Sequence, residues 1–252
     1  MKFKIQFILS LLSVCLAGLM LAVTPLHAAD DMMAQSSLSA ENSQGHYLTP
    51  GNPDAGTLLA PPPLLDSAEQ AADMVEVRNV FHAASSNEMA AAYSEKNFSV
   101  FNFTPAVGTY FQSNNLPQTT AFFKKVQLDA EAVTDLGKLY FHRPRPYATD
   151  PSLANGKLEK SFSYPSGHST ESMVLALVLA DLLPEKHDAI LAHARLIGWH
   201  RVQIARHYPT DIYAGRVLAQ AIVKQLKQDE AFKKDFASAK AEISTAQLTA
   251  KD

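Results

Sequence analysis

Tyr164-Pro165-Ser166-Gly167-His168-Ser169-Thr170 ends an irregular segment and opens a strongly apolar run, Met173 to Leu183. That run is apolar nearly all round, with Asp181 a late exception, which predicts a helix at the centre of the fold. The first N–H groups of a helix have no partner inside it, and the helix dipole is positive there. A turn that sets Ser, Gly and His at such a mouth is suited to holding an anion. Gly167 lets the backbone approach a ligand, Ser166 adds a hydroxyl donor, and His168 can carry a proton near neutral pH.

Downstream, Pro184 ends the central helix, and a second runs from about His187 to Ala205. Ile190, Ala194, Ile197 and Arg201 fall on one line of it. Arms of about 15 to 18 residues measure roughly 22 to 27 Å, so the two helices form a nearly matched hairpin. The return arm brings Arg201 and His207 to the level of His168. Pro209 fits the first turn of a further helix, with Ala214, Val217, Leu218, Ala221, Ile222 and Leu226 as its apolar face. His207 then lies just outside that helix and Asp211 in its first turn. Residues 229–252 are charged and Ala-rich and read as a surface helix with a frayed tail.

Upstream, Leu116-Pro117 opens a long helix whose stripe is Phe122, Val126, Ala130, Val133, Leu136 and Tyr140. It ends near His142, because Pro144 and Pro146 force an extended exit. Lys138, Arg143 and Arg145 crowd that end. Taken alone, they read as solvated cations favoured at a helix C-terminus. Ser67 and Gln70 have capping-box spacing, ahead of Met74, Val77, Phe81 and Ala84 at helical intervals and an Ala-rich continuation to Tyr93. Residues 94–115 carry several aromatics, are broken by Pro105 and Gly108, and fit short helices and loops near a site mouth. No segment alternates as a strand does. The fold class is all-α, a single-domain helical bundle over residues 67–252.

Residues 29–66 form a polar, Pro-rich N-terminal arm, with a turn at Tyr47 to Pro53 and an extended Pro61-Pro62-Pro63. It either lies over the core or a subunit interface, or is a disordered leader. Residues 1–28 have the pattern of a signal peptide: Lys2 and Lys4, an apolar run from Ile5 to Val23, and small residues at Ala28-Ala29. The expected location is periplasmic or secreted. Polar Gln6, Ser10 and Ser13 speak against a retained anchor, and Val14 is too bulky for a good lipid-attachment site at Cys15. Cys15 is the only cysteine, so the mature chain has no disulfide and no thiolate metal site.

The 252-residue chain holds 22 Lys and Arg against 25 Asp and Glu, net −3. Loss of Lys2 and Lys4 brings the mature chain to −5, which argues against general nucleic-acid binding. No second apolar stretch suffices for a membrane span. Whether the chain forms a homo-oligomer stays open.

Three segments thus converge on one end of a bundle: Lys138 and Arg145; Ser166, Gly167 and His168; Arg201, His207 and Asp211. Three cations, a helix mouth and two histidines suit a phosphate whose charge is spread over several oxygens. Lys and Arg can neutralise developing charge without a metal. One histidine must be neutral to attack phosphorus, and the other protonated to release an alcohol. His207 is the better nucleophile, because Asp211 can hold one ring nitrogen and aim the other. His168 is the better general acid. His46, His82, His142, His187 and His193 carry no assigned role.

The order Lys138 … Arg145-Pro146, Pro165-Ser166-Gly167-His168, Arg201 … His207 … Asp211 resembles the three-part signature of the superfamily joining type 2 phosphatidic acid phosphatases and vanadium haloperoxidases. Within it the chain is most similar to secreted bacterial class A non-specific acid phosphatases. The Pro61-Pro62-Pro63 arm and the helical body share that likeness, which is strongest over residues 130–225. The resemblance implies phosphomonoester hydrolysis through a phosphohistidine at His207, water then attacking it. It implies that His168 protonates the leaving group and that Asp211 supports His207. Lys138, Arg145 and Arg201 would bind the phosphoryl oxygens with Ser166 and the Gly167 N–H. It further implies small phosphomonoester substrates, vanadate inhibition, no cofactor and no metal.

One position departs from the family: His200 stands where Ser is usual before Arg201. An imidazole there would crowd the site or add a cation at low pH. The competing classes are a vanadate-dependent haloperoxidase, disfavoured by the short chain and the arm, and a lipid phosphatase, disfavoured by the lack of mature spans. A non-catalytic phosphate-binding protein is disfavoured by the histidine pair.

Overall fold

The computed structural model describes residues 45–249. The signal-peptide segment, Cys15, the first part of the arm and the last three residues lie outside them. The most buried element is the helix predicted from the apolar run. It is flanked by the two helices that follow it and by the long one before it.

The described helices are α1 (Ala55–Leu58), α2 (Ala68–Ala83), α3 (Ser86–Ser94), α4 (Thr104–Val107), α5 (Pro117–Phe141), α6 (Pro146–Thr149), α7 (Gly167–Leu182), α8 (His187–Gln203), α9 (Pro209–Leu226) and α10 (Glu230–Thr249). Short 3₁₀ turns at Glu95–Asn97, Val100–Phe103, Pro151–Leu153 and Pro184–Lys186 join them, and no strand occurs among the described residues. The fold is all-α.

Helix α7 has Val174, Leu175, Ala176, Val178 and Leu179 fully buried on successive faces, as its pattern predicts. Helices α8 and α9 press closely on it at two glycines. A Cβ on Gly215 of α9 would lie 2.9 Å from the Ser166 carbonyl oxygen, and one on Gly198 of α8 would lie 3.2 Å from Ser169 Oγ. Only glycine permits this approach, so the Ser-Gly-His turn is wedged between two helices. The α7–α8 hairpin has arms of 16 and 17 residues, matched as expected.

The hairpin returns through an unusual turn. Ala205 takes φ 50°, a left-handed conformation that costs a non-glycine residue about 1–2 kcal/mol. The N–H groups of Arg206 and His207 then both donate to the Arg201 carbonyl, at 2.8 and 3.3 Å. This reversal turns His207 back toward α7. Helix α5 ends in a similar way, with His142 left-handed at φ 52°, and the Pro144 and Pro146 exit follows.

Of the described part of the arm, residues 45–66, the stretch 45–60 lies on the core, while Leu64 and Leu65 stay exposed. Asp129 of α5, itself 1% exposed, accepts the His46 N–H at 2.6 Å and the Tyr47 N–H at 2.8 Å. The Tyr47 ring packs on Phe122 and Phe232, and the Tyr164 hydroxyl donates to the Ala60 carbonyl at 2.6 Å. Helix α10 lies at the surface, as expected, and anchors itself by burying Phe232, Ala239 and Ile243 against the core. Its Glu242 accepts the Gln118 and Thr119 N–H groups at the start of α5. No described helix is long and apolar enough to cross a membrane.

Candidate active site

Ser166 is the N-cap of α7, and its Oγ accepts the Ser169 N–H at 3.4 Å. Its carbonyl accepts the Thr170 N–H at 2.9 Å, and its own N–H donates to the Asp211 carbonyl at 3.1 Å. The N–H groups of Gly167 and His168, in the first turn, keep no partner among the described residues. Lys138 Nζ lies 3.2 Å from where a Cβ on Gly167 would stand, so glycine leaves room for the ammonium beside the helix mouth.

His207 is 1% exposed. Its Nδ1 faces Asp211 Oδ2 at 3.4 Å, and its Nε2 faces Arg145 NH1 at 3.2 Å. Guanidinium only donates, so Nε2 presents its lone pair and the proton sits on Nδ1 toward Asp211. Burial, then the Arg145 charge, hold the imidazole well below its usual range and keep it neutral.

Asp211 is fully buried. Its Oδ1 accepts from Arg143 NH1 at 2.5 Å, and its Oδ2 accepts from the Ser163 hydroxyl at 2.5 Å and the Tyr208 N–H at 2.9 Å. Burial pushes the carboxyl up, while Arg143, Ser163 and Tyr208 pull it back. Arg143 in turn reaches Gln70 Oε1 at 2.6 Å and Asp73 Oδ2 at 2.7 Å on α2, and stacks 4.0 Å from the Tyr208 ring centre.

Arg145 and Arg201 meet across a carboxylate. Arg145 NH1 lies 2.7 Å from Glu159 Oε2, and Arg201 NH2 contacts Glu159 Oε1. Arg145 is fixed further by the Ser161 carbonyl and hydroxyl and the Arg206 carbonyl. Arg201 is 2% exposed, and its buried Nε has no partner among the described residues. Burial would raise the Glu159 carboxyl, yet the two arginines bring it down to about 2. Glu171, one turn beyond Gly167, accepts from Gln127 at 3.1 Å, and burial pushes it up to about 8, so it adds little negative charge beside Lys138.

His168 Nε2 lies 3.2 Å from the Glu95 carbonyl, with the Phe98 ring 5.4 Å away. Burial, then Arg201, lower its pKa to about 3. Residues 94–115 therefore do wall the site, as short 3₁₀ turns. His200 does not crowd the cup, contrary to expectation. Its Nδ1 turns to Glu95 Oε2 at 2.8 Å, both side chains being buried.

Residues 127–232 match the family described as the PAP2 superfamily. This segment is a PAP2 superfamily domain. An acid phosphatase of Zymomonas mobilis is 26% identical over 246 residues, covering 94% of this chain and 92% of that one. A non-specific acid phosphatase of Salmonella typhimurium is 27% identical over 215 residues, covering 81% and 86%. The crystal structure of a transmembrane PAP2 type phosphatidylglycerolphosphate phosphatase from Bacillus subtilis is 19% identical with a TM-score of 0.47, covering 65% of this chain and 87% of that one.

All eight residues singled out in the sequence meet at one end of this PAP2 domain: Lys138, Arg145, Ser166, Gly167, His168, Arg201, His207 and Asp211. The solvated reading of the basic cluster fails for Arg143 and Arg145, which are 2% and 3% exposed. Sequence reasoning gave no role to Arg143, Ser163, Glu159, Asp73 or Glu95. Arg143 lies between Lys138 and Arg145, and Ser163 stands two residues before Pro165, a local signal that could have found them. Asp73 and Glu95 come from remote segments and carried none. Among the described residues no group of three or more His, Cys, Asp and Glu is placed to hold a metal ion.

Proposed function

We propose that this chain is a metal-independent acid phosphatase that hydrolyses phosphomonoesters through a phosphohistidine at His207. Its phosphatase class rests on the PAP2 domain and on relatives named acid phosphatase. The observation that carries the mechanism is the neutral Nε2 of His207 facing Arg145 inside a cationic cup.

The phosphoryl group binds with its oxygens toward Arg145, Arg201, Lys138 and the Gly167 and His168 N–H groups. The Nε2 lone pair attacks phosphorus, an N–P bond forms, and the P–O ester bond breaks with its electron pair on the leaving oxygen. His168 gives that oxygen a proton. The ring positive charge that builds on His207 is matched by Asp211 across Nδ1. A bound phosphate dianion also offsets the cations that depress His168, which lifts its pKa toward a working value. Water then attacks phosphorus, His168 takes its proton, and the N–P electron pair returns to Nε2.

The reading includes vanadate inhibition and export by the segment 1–28. It is tested by p-nitrophenyl phosphate hydrolysis in EDTA together with acid quenching of labelled enzyme. The expected result is metal-independent turnover and a phosphoenzyme that is acid-labile, stable to alkali and absent from His207→Ala. Activity that needs added metal, or a His207→Ala protein that keeps most of its rate, overturns it.

A further inference from the structure

Glu159 occupies the place that the phosphate needs. Its two carboxylate oxygens each take one of the two arginines at the floor of the cup. A carboxylate and a phosphoryl group are the same kind of guest for a guanidinium, each offering two coplanar oxygens to parallel N–H donors. We propose that Glu159 is a built-in competitor for the phosphoryl site, so that substrate and product phosphate bind only by displacing its carboxylate, and that it thereby sets their affinity.

Three observations support a displaceable head on a fixed backbone. First, the Glu159 backbone is gripped on both sides by one hydroxyl: Tyr147 Oη donates to its carbonyl at 2.7 Å and accepts its N–H at 3.1 Å. The flanking chain is pinned too, since Arg206 donates to the Asn155 and Lys157 carbonyls and Arg145 donates to Ser161. Second, the Glu159 side chain is 33% exposed while Arg145 and Arg201 are 4% and 3% exposed. The carboxylate therefore closes the cup from its open side and can rotate into solvent with no movement of the loop. Third, Arg145 keeps its place without the carboxylate, because the Ser161 carbonyl and hydroxyl and the Arg206 carbonyl hold it as well. Displacement thus exposes a cup already built for an anion.

Competition of this kind lowers apparent affinity by the fraction of molecules whose cup is open. It weakens substrate and product alike, so it raises KM and relieves product inhibition without supplying any transition-state stabilisation.

The inference rests on the reading of the cup as a phosphate site. Its test is isothermal titration of orthophosphate at low ionic strength into the purified protein and into Glu159→Gln and Glu159→Ala, with p-nitrophenyl phosphate kinetics on all three. If Glu159 closes the cup in nine molecules of ten, both variants bind orthophosphate about tenfold tighter. KM and the phosphate inhibition constant then fall by the same factor and kcat does not rise. Equal or weaker phosphate binding in both variants overturns the proposal and makes Glu159 a brace that holds the arginines. Absence of orthophosphate binding and of turnover in all three proteins instead overturns the phosphatase reading, and this inference with it.

Discussion

Arg143 NH1 stands 2.5 Å from Asp211 Oδ1, with both groups shut away from solvent. The contact ties the end of α5 to the first turn of α9 and fixes the carboxylate that faces His207. On its other side the same guanidinium holds Asp73 of α2 at 2.7 Å. One cation thus compensates two buried carboxylates from separate helices.

Arg143→Leu leaves both carboxylates without their counter-charge. Breaking a buried ion pair from one side costs about 3–5 kcal/mol, and the expected loss of unfolding free energy falls in that range. Urea denaturation followed by circular dichroism measures it. The activity of the folded fraction should also fall, since Asp211 loses the anchor that aims it.

His200→Ser removes the partner of Glu95. The Glu95 carbonyl faces His168, so the expected defect lies in proton donation to the leaving group. Alkyl phosphates, which need that proton, should slow by about tenfold or more, while p-nitrophenyl phosphate, whose phenolate leaves unaided, should slow far less. A uniform fall for both substrates would show a loss of fold instead.

Acid should destabilise the ligand-free protein through its buried histidines. His168 falls from 6.5 to about 3 on folding, and His207 falls as well. Below pH 6.5 the unfolded chain binds protons that the native chain refuses, so stability decreases as pH falls. The slope is at most about 1.4 kcal/mol per pH unit for each group. Glu159 acts in the same direction at lower pH, because its stabilising charge is lost as pH falls from 4.5 toward about 2. Glu171, pushed up to about 8, opposes one histidine between pH 8 and 4.5, so thermal melts should show the net fall only below pH 6.5, where both histidines act. His207→Asn should flatten it.

Gly215→Ala should damage the site from a distance. The new methyl carbon would lie 2.9 Å from the Ser166 carbonyl oxygen and 3.0 Å from the Thr170 nitrogen, both backbone atoms. Overpacking of this kind costs about 1–3 kcal/mol, and relief requires the Ser-Gly-His turn to move. The melting temperature and kcat should both drop, whereas a Gly51→Ala control, with no atom within 4 Å of the added carbon but a φ of +77°, should lose about 1–2 kcal/mol of stability and leave kcat unchanged.

The apolar run after Thr170 placed α7 at the centre, and the prolines at 117, 184 and 209 placed three helix boundaries, because proline and helical periodicity act locally. The same local rules put Lys138 and Arg145, the Ser-Gly-His turn, and Arg201 through Asp211 at three helix ends. Matched hairpin arms made their meeting foreseeable. Helix α10 reads as a surface element and is one, but its anchoring face is not legible, because Phe232, Ala239 and Ile243 are diluted among charges that face outward.

Side-chain partnership across distant segments was decided by the tertiary structure alone. Asp73 and Glu95 carry no pattern that names Arg143 and His200 as their partners, and Glu159 sits in a polar loop where a solvated carboxylate is the ordinary case. Burial converts the Asp73 and Glu95 pairings into committed contacts, since a charge removed from water must find its counter-charge within a few ångströms, while Glu159 is drawn in by two buried arginines. That requirement is met in space, between positions 70 residues apart for Arg143 and Asp73 and 105 apart for His200 and Glu95, and no local rule of sequence encodes it.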